Sequence, residues 1–587
     1  FSVSEIREHL AKELPEYMIP SYFVQMDNIP LSQNGKADRK ALPEPEGMLL
    51  GNQEYTAPGN DTERQLAEIW QELLVSERIG INNSFFELGG DSLKAMKLAY
   101  RIRKKFGMEL SVKEIFENQT VKQLSELING MGAGIICSIP PAEERDYYEV
   151  TPAQRRLFFL NQLEPESTTY NLPSVIIVEG RPDVKKLTEV FGQLAERHES
   201  LRTSFEVVDD RPVQIVHQNV EIKLEYETLP EMKVDELVRN FVRPFVLHKA
   251  PLIRAKLVKQ TENRHLLIYD IHHIISDGIS INILTREFIA LYSGVQLPQL
   301  KIQYKDYSVW MKEQLDTGLK EKQEQYWLER FSGKLPVLSM PTDYPRPEIL
   351  SFEGSNSRFL LDKEMSSQLT GLARDAGTTL YSVLLAAFNI LLSLYSGQED
   401  IIIGSPVAGR TNADLEEVIG MFVNTVAMRN YPEGRKSFRE FLQEVADNSL
   451  RAFDNQDYQL DELTGRLDLP RDLSRNPLFD VVFVLQKRDE LLVEIDGLKF
   501  VPVRLGGSTA KFDLTLQAEE TPEGLLLAFE YSTRLFTIET IEKLLRDIKK
   551  ILETILKNKD VKINEILLEG AYRKGKRAIS KDVEFDF

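Results

Sequence analysis

The stretch "IYDIHHIISDGIS", Ile268–Ser280, sets two adjacent histidines, an aspartate and a glycine directly after an apolar run. The chain has 7 histidines in 587 residues and no other two are neighbours, so chemistry is sought here first. "RHLLIYDI" reads as a strand. Neighbouring side chains on a strand point to opposite faces, so His272 and His273 are expected to do different jobs. A zinc site would need further ligands at suitable spacing, and the sequence offers neither HExxH nor clustered cysteines, so no metal is expected. Two readings stay open. In one, a histidine near neutral pH acts as base or hydrogen-bonding positioner, Asp277 braces the loop and Gly278 lets a substrate approach the backbone. In the other, a satisfied core histidine stands beside an ordinary Asp-Gly turn.

Outward from this stretch, the chain is too long for one hydrophobic core, and several domains are expected. Hydrophobic residues at 42% and charged residues at 28% describe a globular protein. A net charge of -19 argues against nucleic acid or an anionic membrane as partner. The single cysteine, Cys137, permits neither an internal disulfide nor a cysteine metal cage, which fits a cytoplasmic location. The first residues lack the basic, apolar and small-residue segments of a secretory signal. "LYSVLLAAFNILLSLY", Leu380–Tyr395, is shorter than a membrane span and contains Asn389, so it is expected to be a buried core helix.

Punctuation divides the chain. The Pro- and Gly-rich segment Ala41–Asn60 closes a first part too short for its own core. From Thr62 to about Gly130 the periodicity is helical, with Leu66, Ile69, Trp70 and Leu73 on one face and "TERQ", Thr62–Gln65, as a capping box. A second helix is expected from Asp91 to Phe106, with Leu93, Met96, Leu98 and Ile102 mostly buried. Ser111 and Thr120 read as caps of two shorter helices, which makes a small four-helix bundle. After a linker, strands such as "SVIIVEG", "EDIIIGSPV" and "LLLAFEY" alternate with helices at Val184–His198 and Thr379–Tyr395, enough chain for two lobes.

A second candidate site is "FFELGGDSLKAMKL", Phe85–Leu98, where a serine follows Gly-Gly-Asp at a helix start. Helix N-termini offer free N–H groups and favour negative charge, so a phosphate ester on Ser92 would sit well there. The alternative is a plain helix cap by Asp91 or Ser92. A nucleophile elbow is excluded, because Lys94 stands where G-x-S-x-G needs its second glycine.

These motifs together resemble the nonribosomal peptide synthetase family. "PLSQNGKADRKALPEP", Pro30–Pro45, is similar to the last motif of an adenylation domain, with Lys36 matching the lysine that contacts the acyl-adenylate. "LGGDSL" resembles the carrier motif whose serine, here Ser92, receives 4'-phosphopantetheine from coenzyme A. "TPAQRRLFFL", "RHESLRTSF", "HHIISDGIS", "YKDYSVW", "IGMFVNTVAMR", "NQDYQLDEL" and "RDLSRNPLFDVVF" follow in the order of a condensation domain. The sequence departs from the family at Gln459-Leu460-Asp461, where a Pro-Phe-Glu-like continuation is usual.

The resemblance implies a four-helix-bundle carrier followed by a two-lobed α/β domain like chloramphenicol acetyltransferase. The implied division is an adenylation-domain remnant at 1–48, a carrier at 55–130, a linker at 131–146, condensation lobes at 147–322 and 323–570, and a tail at 571–587. It further implies that His273 is catalytic, with Asp277 beside it and Gly278 as a backbone contact for the thioester. Arg410 would pair with Asp277 across the lobes, and His272, Arg197, Arg202, Trp310 and Asn424 would be scaffold. The implied reaction is peptide-bond formation by attack of an acceptor aminoacyl amine on a donor thioester. Implied partners are a phosphopantetheinyl transferase with coenzyme A, upstream and downstream carriers, and adenylation domains. An epimerization domain is the nearest rival, but Ile281 stands where those domains usually have tryptophan, and "DSL" resembles carriers serving condensation domains. A non-catalytic carrier-docking module is the rival from another class. "RHESLRTSF" points toward an L-configured donor.

Overall fold

The computed structural model describes residues 55–568 except 75–77, 86–87, 89, 91, 109, 111, 131–137, 316–318, 470–471, 488–492, 496, 504 and 506–508. The expected adenylation remnant with Lys36, the cap at Ser111, Cys137 and the tail therefore lie outside the described residues. What is described falls into two compact units divided near residue 134.

The first unit contains helices Asp61–Leu74, Ser92–Phe106, Val112–Glu117 and Val121–Gly130. Leu66, Ile69, Trp70 and Leu73 are buried as their spacing predicts, and Leu98 and Ile102 of the second helix are fully buried. Trp70 meets Phe85 edge-on with ring centroids 5.0 Å apart. The first helix starts earlier than expected. Asn60, not Thr62, is its cap: Asn60 Oδ1 accepts the Glu63 N–H at 2.8 Å, while the Thr62 hydroxyl donates to Asn129 Oδ1. The box at Thr120 is formed, its hydroxyl accepting the Gln123 N–H at 3.2 Å and Gln123 Oε1 accepting the Thr120 N–H at 3.1 Å.

The second unit is built on two six-stranded sheets. In the first, the order is Val493–Ile495, Leu498–Val503, Asn171–Glu179, Arg264–His272, Ile253–Thr261 and Leu224–Thr228. All pairs are antiparallel except the last, which is parallel. Every residue of the strand Arg264–His272 after Arg264 is buried. One face packs against Val184–Arg197 and Gly278–Tyr292, the other against Val234–Phe241. Cover on both faces is why this strand reads as a continuous apolar run instead of an alternating one.

The second sheet runs Asn424–Asn430, Ile401–Val407, Val481–Lys487, Leu514–Thr521, Gly524–Ser532 and Gly354–Asp362. Val481–Lys487 lies parallel to both neighbours and the other pairs are antiparallel. Helix Leu380–Ser396 is buried on all faces from Tyr381 to Ser393, and the Asn389 side chain donates within the helix to Leu385 O at 2.8 Å. No single helix among the described residues is long and apolar enough to cross a membrane. A linear division of the chain into lobes does not follow the sheets. The ribbon Val493–Val503 returns to extend the first sheet, pairing Phe500 with Val178.

Candidate active site

His272 ends the central strand of the first sheet and His273 opens a short turn, Asn171 pairing with His272 on the neighbouring strand. The two imidazoles are used differently, as strand geometry requires. His272 is buried; its Nδ1 accepts the Ile274 N–H at 3.1 Å, and its ring meets Phe245 edge-on with centroids 6.0 Å apart. Burial pulls its pKa down to about 3, with His273, Lys511 and Arg254 adding to the effect. It is a neutral cap of the turn.

His273 is only half-buried. Its N–H donates to Tyr170 O at 2.8 Å, and its Nδ1 lies 2.9 Å from Ser276 O. A carbonyl oxygen only accepts, so Nδ1 carries the proton and Nε2 presents its lone pair. Burial pulls the His273 pKa down to about 4, the Lys511 ammonium adds to this, and Asp277 and the Ser276 carbonyl act the other way. At neutral pH it is an uncharged acceptor.

Asp277 is fully buried. Its Oδ1 caps the helix Gly278–Tyr292 by accepting the Ser280 N–H at 2.7 Å. Its Oδ2 accepts the Phe422 N–H at 3.2 Å, and Arg410 Nη2 approaches both oxygens at 3.2 and 3.4 Å. Arg410 and Phe422 belong to the second lobe, so this carboxylate ties the lobes together beside the histidines. Arg410 also donates to Ser280 Oγ at 2.9 Å and to Val418 O at 2.7 Å, and its guanidinium lies 4.1 Å from the Phe422 ring centroid. Gly278 is exposed, and a Cβ built on it would meet nothing within 4 Å. The fold itself does not require glycine there, so an open approach to the backbone is what its smallness supplies.

The scaffold residues have structural partners. Arg197 and His198 both reach Glu287 Oε2, at 2.9 and 2.6 Å, locking the motif "RHE" to the middle of the helix that begins at Gly278. Arg202 donates to Ala195 O and His217 O. Asn424 Nδ2 donates to Gln456 O and Tyr458 O, which fixes the loop where the sequence departs from the family. Trp310 packs against the cluster of Tyr304, Tyr307 and Phe422. Three groups brought to the site were not singled out in the sequence for these roles: Ser280 as a partner of Arg410, the Phe422 N–H, and Lys511. Backbone donors and side chains distant in sequence leave no local pattern to find.

In the first unit, Ser92 opens a 15-residue helix with no acidic residue in its first turn. Gly90 precedes it with its N–H on Phe85 O at 2.9 Å, and a Cβ at Gly90 would fall 2.3 Å from the Phe85 ring. Only glycine fits that approach, which gives the second glycine of "LGGDSL" a packing reason. A helix N-terminus free of acidic residues in its first turn fits a phosphate ester.

Residues 144–574 match the family model described as the condensation domain, and residues 64–128 match the phosphopantetheine attachment site. The chain therefore belongs to the condensation-domain family, preceded by a carrier domain, as in nonribosomal peptide synthetases. It is similar to Bacitracin synthase 3 of Bacillus licheniformis, 46% identical over 96% of this chain and 9% of that protein. Gramicidin S synthase 2 of Brevibacillus brevis is 46% identical over 96% of this chain and 13% of its own length. Tyrocidine synthase 2 of Brevibacillus parabrevis is 45% identical over 98% of this chain and 16% of its own length. The chain thus spans a small part of these relatives.

Among solved structures, the X-domain from teicoplanin biosynthesis matches with a TM-score of 0.68 at 23% identity, covering 74% of this chain and 100% of that one. The first condensation domain of the calcium-dependent antibiotic synthetase, in complex with a substrate analogue, matches with a TM-score of 0.59 at 19% identity, covering 72% and 99%. At these identities the likeness concerns the fold.

Proposed function

We propose that this chain forms a peptide bond between an acyl chain held on its own carrier and an acceptor amine supplied from a downstream carrier. The observation that carries the reading is the His273 imidazole, neutral, with Nδ1–H fixed on Ser276 O and Nε2 left as acceptor. A free α-amino group has a pKa of roughly 8, so much of it is protonated at neutral pH. His273 Nε2 accepts a proton from the attacking amine or from the tetrahedral intermediate, or orients that amine by accepting its hydrogen bond. The exposed backbone at Gly278, at the positive end of its helix, is the contact for the thioester carbonyl. Asp277 and Arg410 act on position alone, holding the loop and the second lobe in register.

Ser92 is the residue we assign to the 4'-phosphopantetheine ester, whose thiol supplies the activated thioester. A phosphopantetheinyl transferase using coenzyme A would load it, and adenylation domains of the same assembly line would charge it. Because the carrier precedes the condensation domain, Ser92 holds the donor. We place the protein in the cytoplasm, where coenzyme A is available.

One assay in deuterated water tests this. Ser92 is loaded with an aminoacyl-pantetheine, a small aminoacyl thioester is added as acceptor, and products are read by mass spectrometry. A dipeptide whose formation falls by about 10²-fold or more in His273→Ala is expected. Near-normal condensation by that variant would remove both roles of His273. Deuterium at Cα without dipeptide would mean epimerization, and retained binding with neither product a docking module.

A further inference from the structure

Charged groups reach His273 from more than its own loop. Lys511 stands just before the strand Leu514–Thr521 of the second sheet, and its backbone is fixed on both sides. The Ala510 N–H donates to Phe352 O at 2.9 Å, Lys511 O accepts from Asn476 Nδ2 at 3.3 Å, and the Asp513 N–H donates to Asp480 O at 2.9 Å. Phe512 stacks on Phe479 with centroids 5.8 Å apart. From this support the ammonium extends to the first lobe, 4.8 Å from the ring centroid of Tyr170. Tyr170 is the residue whose carbonyl accepts the His273 N–H. Among the described residues Lys511 forms no ion pair within 4.0 Å.

An unpaired lysine with most of its side chain out of water is an unfavourable arrangement unless its charge has a use. We infer that Lys511, reaching from the second lobe onto the ring of Tyr170, the residue whose carbonyl holds the His273 backbone, is a positioning charge that favours the uncharged forms of His273 and of an acceptor amine bound next to it. The inference rests on the condensation reading. A cation in a partly dehydrated site opposes a second cation there, so an entering ammonium gives up its proton more readily and becomes nucleophilic. Of the charged side chains acting on His273, Lys511 is the one that opposes its protonation, and Asp277 favours it. Asp277 is held by Arg410. Glu530, on the strand Gly524–Ser532, attracts the Lys511 ammonium and meets the Lys511 backbone N–H, and Arg156, on the helix Pro152–Leu163, repels the ammonium. Asp461, on Leu460–Arg466, lies 3.7 Å from Arg156, and with Arg156 and Glu164 it acts on the Tyr170 hydroxyl. His272, next to His273, is itself neutral and feels Arg254 from the neighbouring strand. Burial lowers the Lys511 pKa to about 8, which leaves it mostly protonated at neutral pH.

The test measures single-turnover dipeptide formation against pH for the full chain and for Lys511→Met and Lys511→Arg. Removing the charge raises the pKa of both His273 and the bound amine, so the acid limb of the Lys511→Met profile should move up by about one pH unit. Lys511→Arg should keep the limb in place. A Lys511→Met rate lowered equally at every pH would overturn the inference and leave Lys511 a structural residue. Imidazole NMR of the unloaded protein, with His273 assigned by comparison with His273→Ala, gives a reading that needs no turnover. The His273 midpoint should rise in Lys511→Met by a similar amount, and an unmoved midpoint overturns the proposal. If the unsubstituted chain makes no dipeptide, the condensation reading fails, and the NMR titration alone then decides whether Lys511 sets the charge of His273.

Discussion

The helices Ser92–Phe106 and Gly278–Tyr292 are both 15 residues long, and each carries a candidate site at its first turn. Their surroundings differ. The first belongs to a small helical unit and buries Ala95, Leu98 and Ile102 on one side. The second lies within a two-lobed unit. Its N-cap is a fully buried carboxylate shared with Arg410 and the Phe422 N–H, and its midpoint is fastened by Glu287 to Arg197 and His198. An attachment point needs only a helix start that other enzymes can visit. A site that orients two reactants needs fixed contacts from both sides of a cleft, because small misplacements there are expensive in rate.

This contrast can be broken experimentally, and the largest effect is expected at the carrier. Ser92→Ala should abolish loading by a phosphopantetheinyl transferase completely, as read by intact-protein mass spectrometry, while His273→Ala should load like the unsubstituted chain. Loading of Ser92→Ala would move the attachment point elsewhere. Next comes the lobe seam. Arg410→Met leaves Asp277 buried without its cation, which should destabilise the condensation unit by about 3–5 kcal/mol in denaturant unfolding and leave the carrier transition unchanged. A loss below about 1 kcal/mol would mean that the seam is held by the Ser280 and Phe422 contacts alone. The smallest effect is the reverse case. Asn60→Ala removes the cap of the first carrier helix and should lower carrier stability by about 1 kcal/mol without moving the condensation transition.

Much of this architecture is legible in the chain. The face formed by Leu66, Ile69, Trp70 and Leu73, the strand before the histidine pair and the buried helix after Thr379 follow from periodicity, because burying one face or all faces imposes a repeat on the residues. The cap of the first helix lies at Asn60, two residues before Thr62, in a segment that reads as loop, and Asn and Thr are both able caps. By sequence order the ribbon Val493–Val503 falls within the second lobe, whereas sheet pairing, which joins strands of any separation, adds it to the first.

The sequence by itself determined where chemistry is sought: the order of its motifs, Ser92 at a helix start, and a histidine pair whose members must face apart. Tertiary structure decided how each is used. The Nδ1–H of His273 is set by a carbonyl three residues on, but its neutral state is set by burial and by Lys511 from the other lobe. Asp277 becomes a seam through Arg410 and Phe422, 133 and 145 residues away. The physical reason is the range of the forces. Periodicity, caps and strand alternation act within a few residues and leave a pattern in the sequence, whereas desolvation and charge act through space between segments that only the fold brings together.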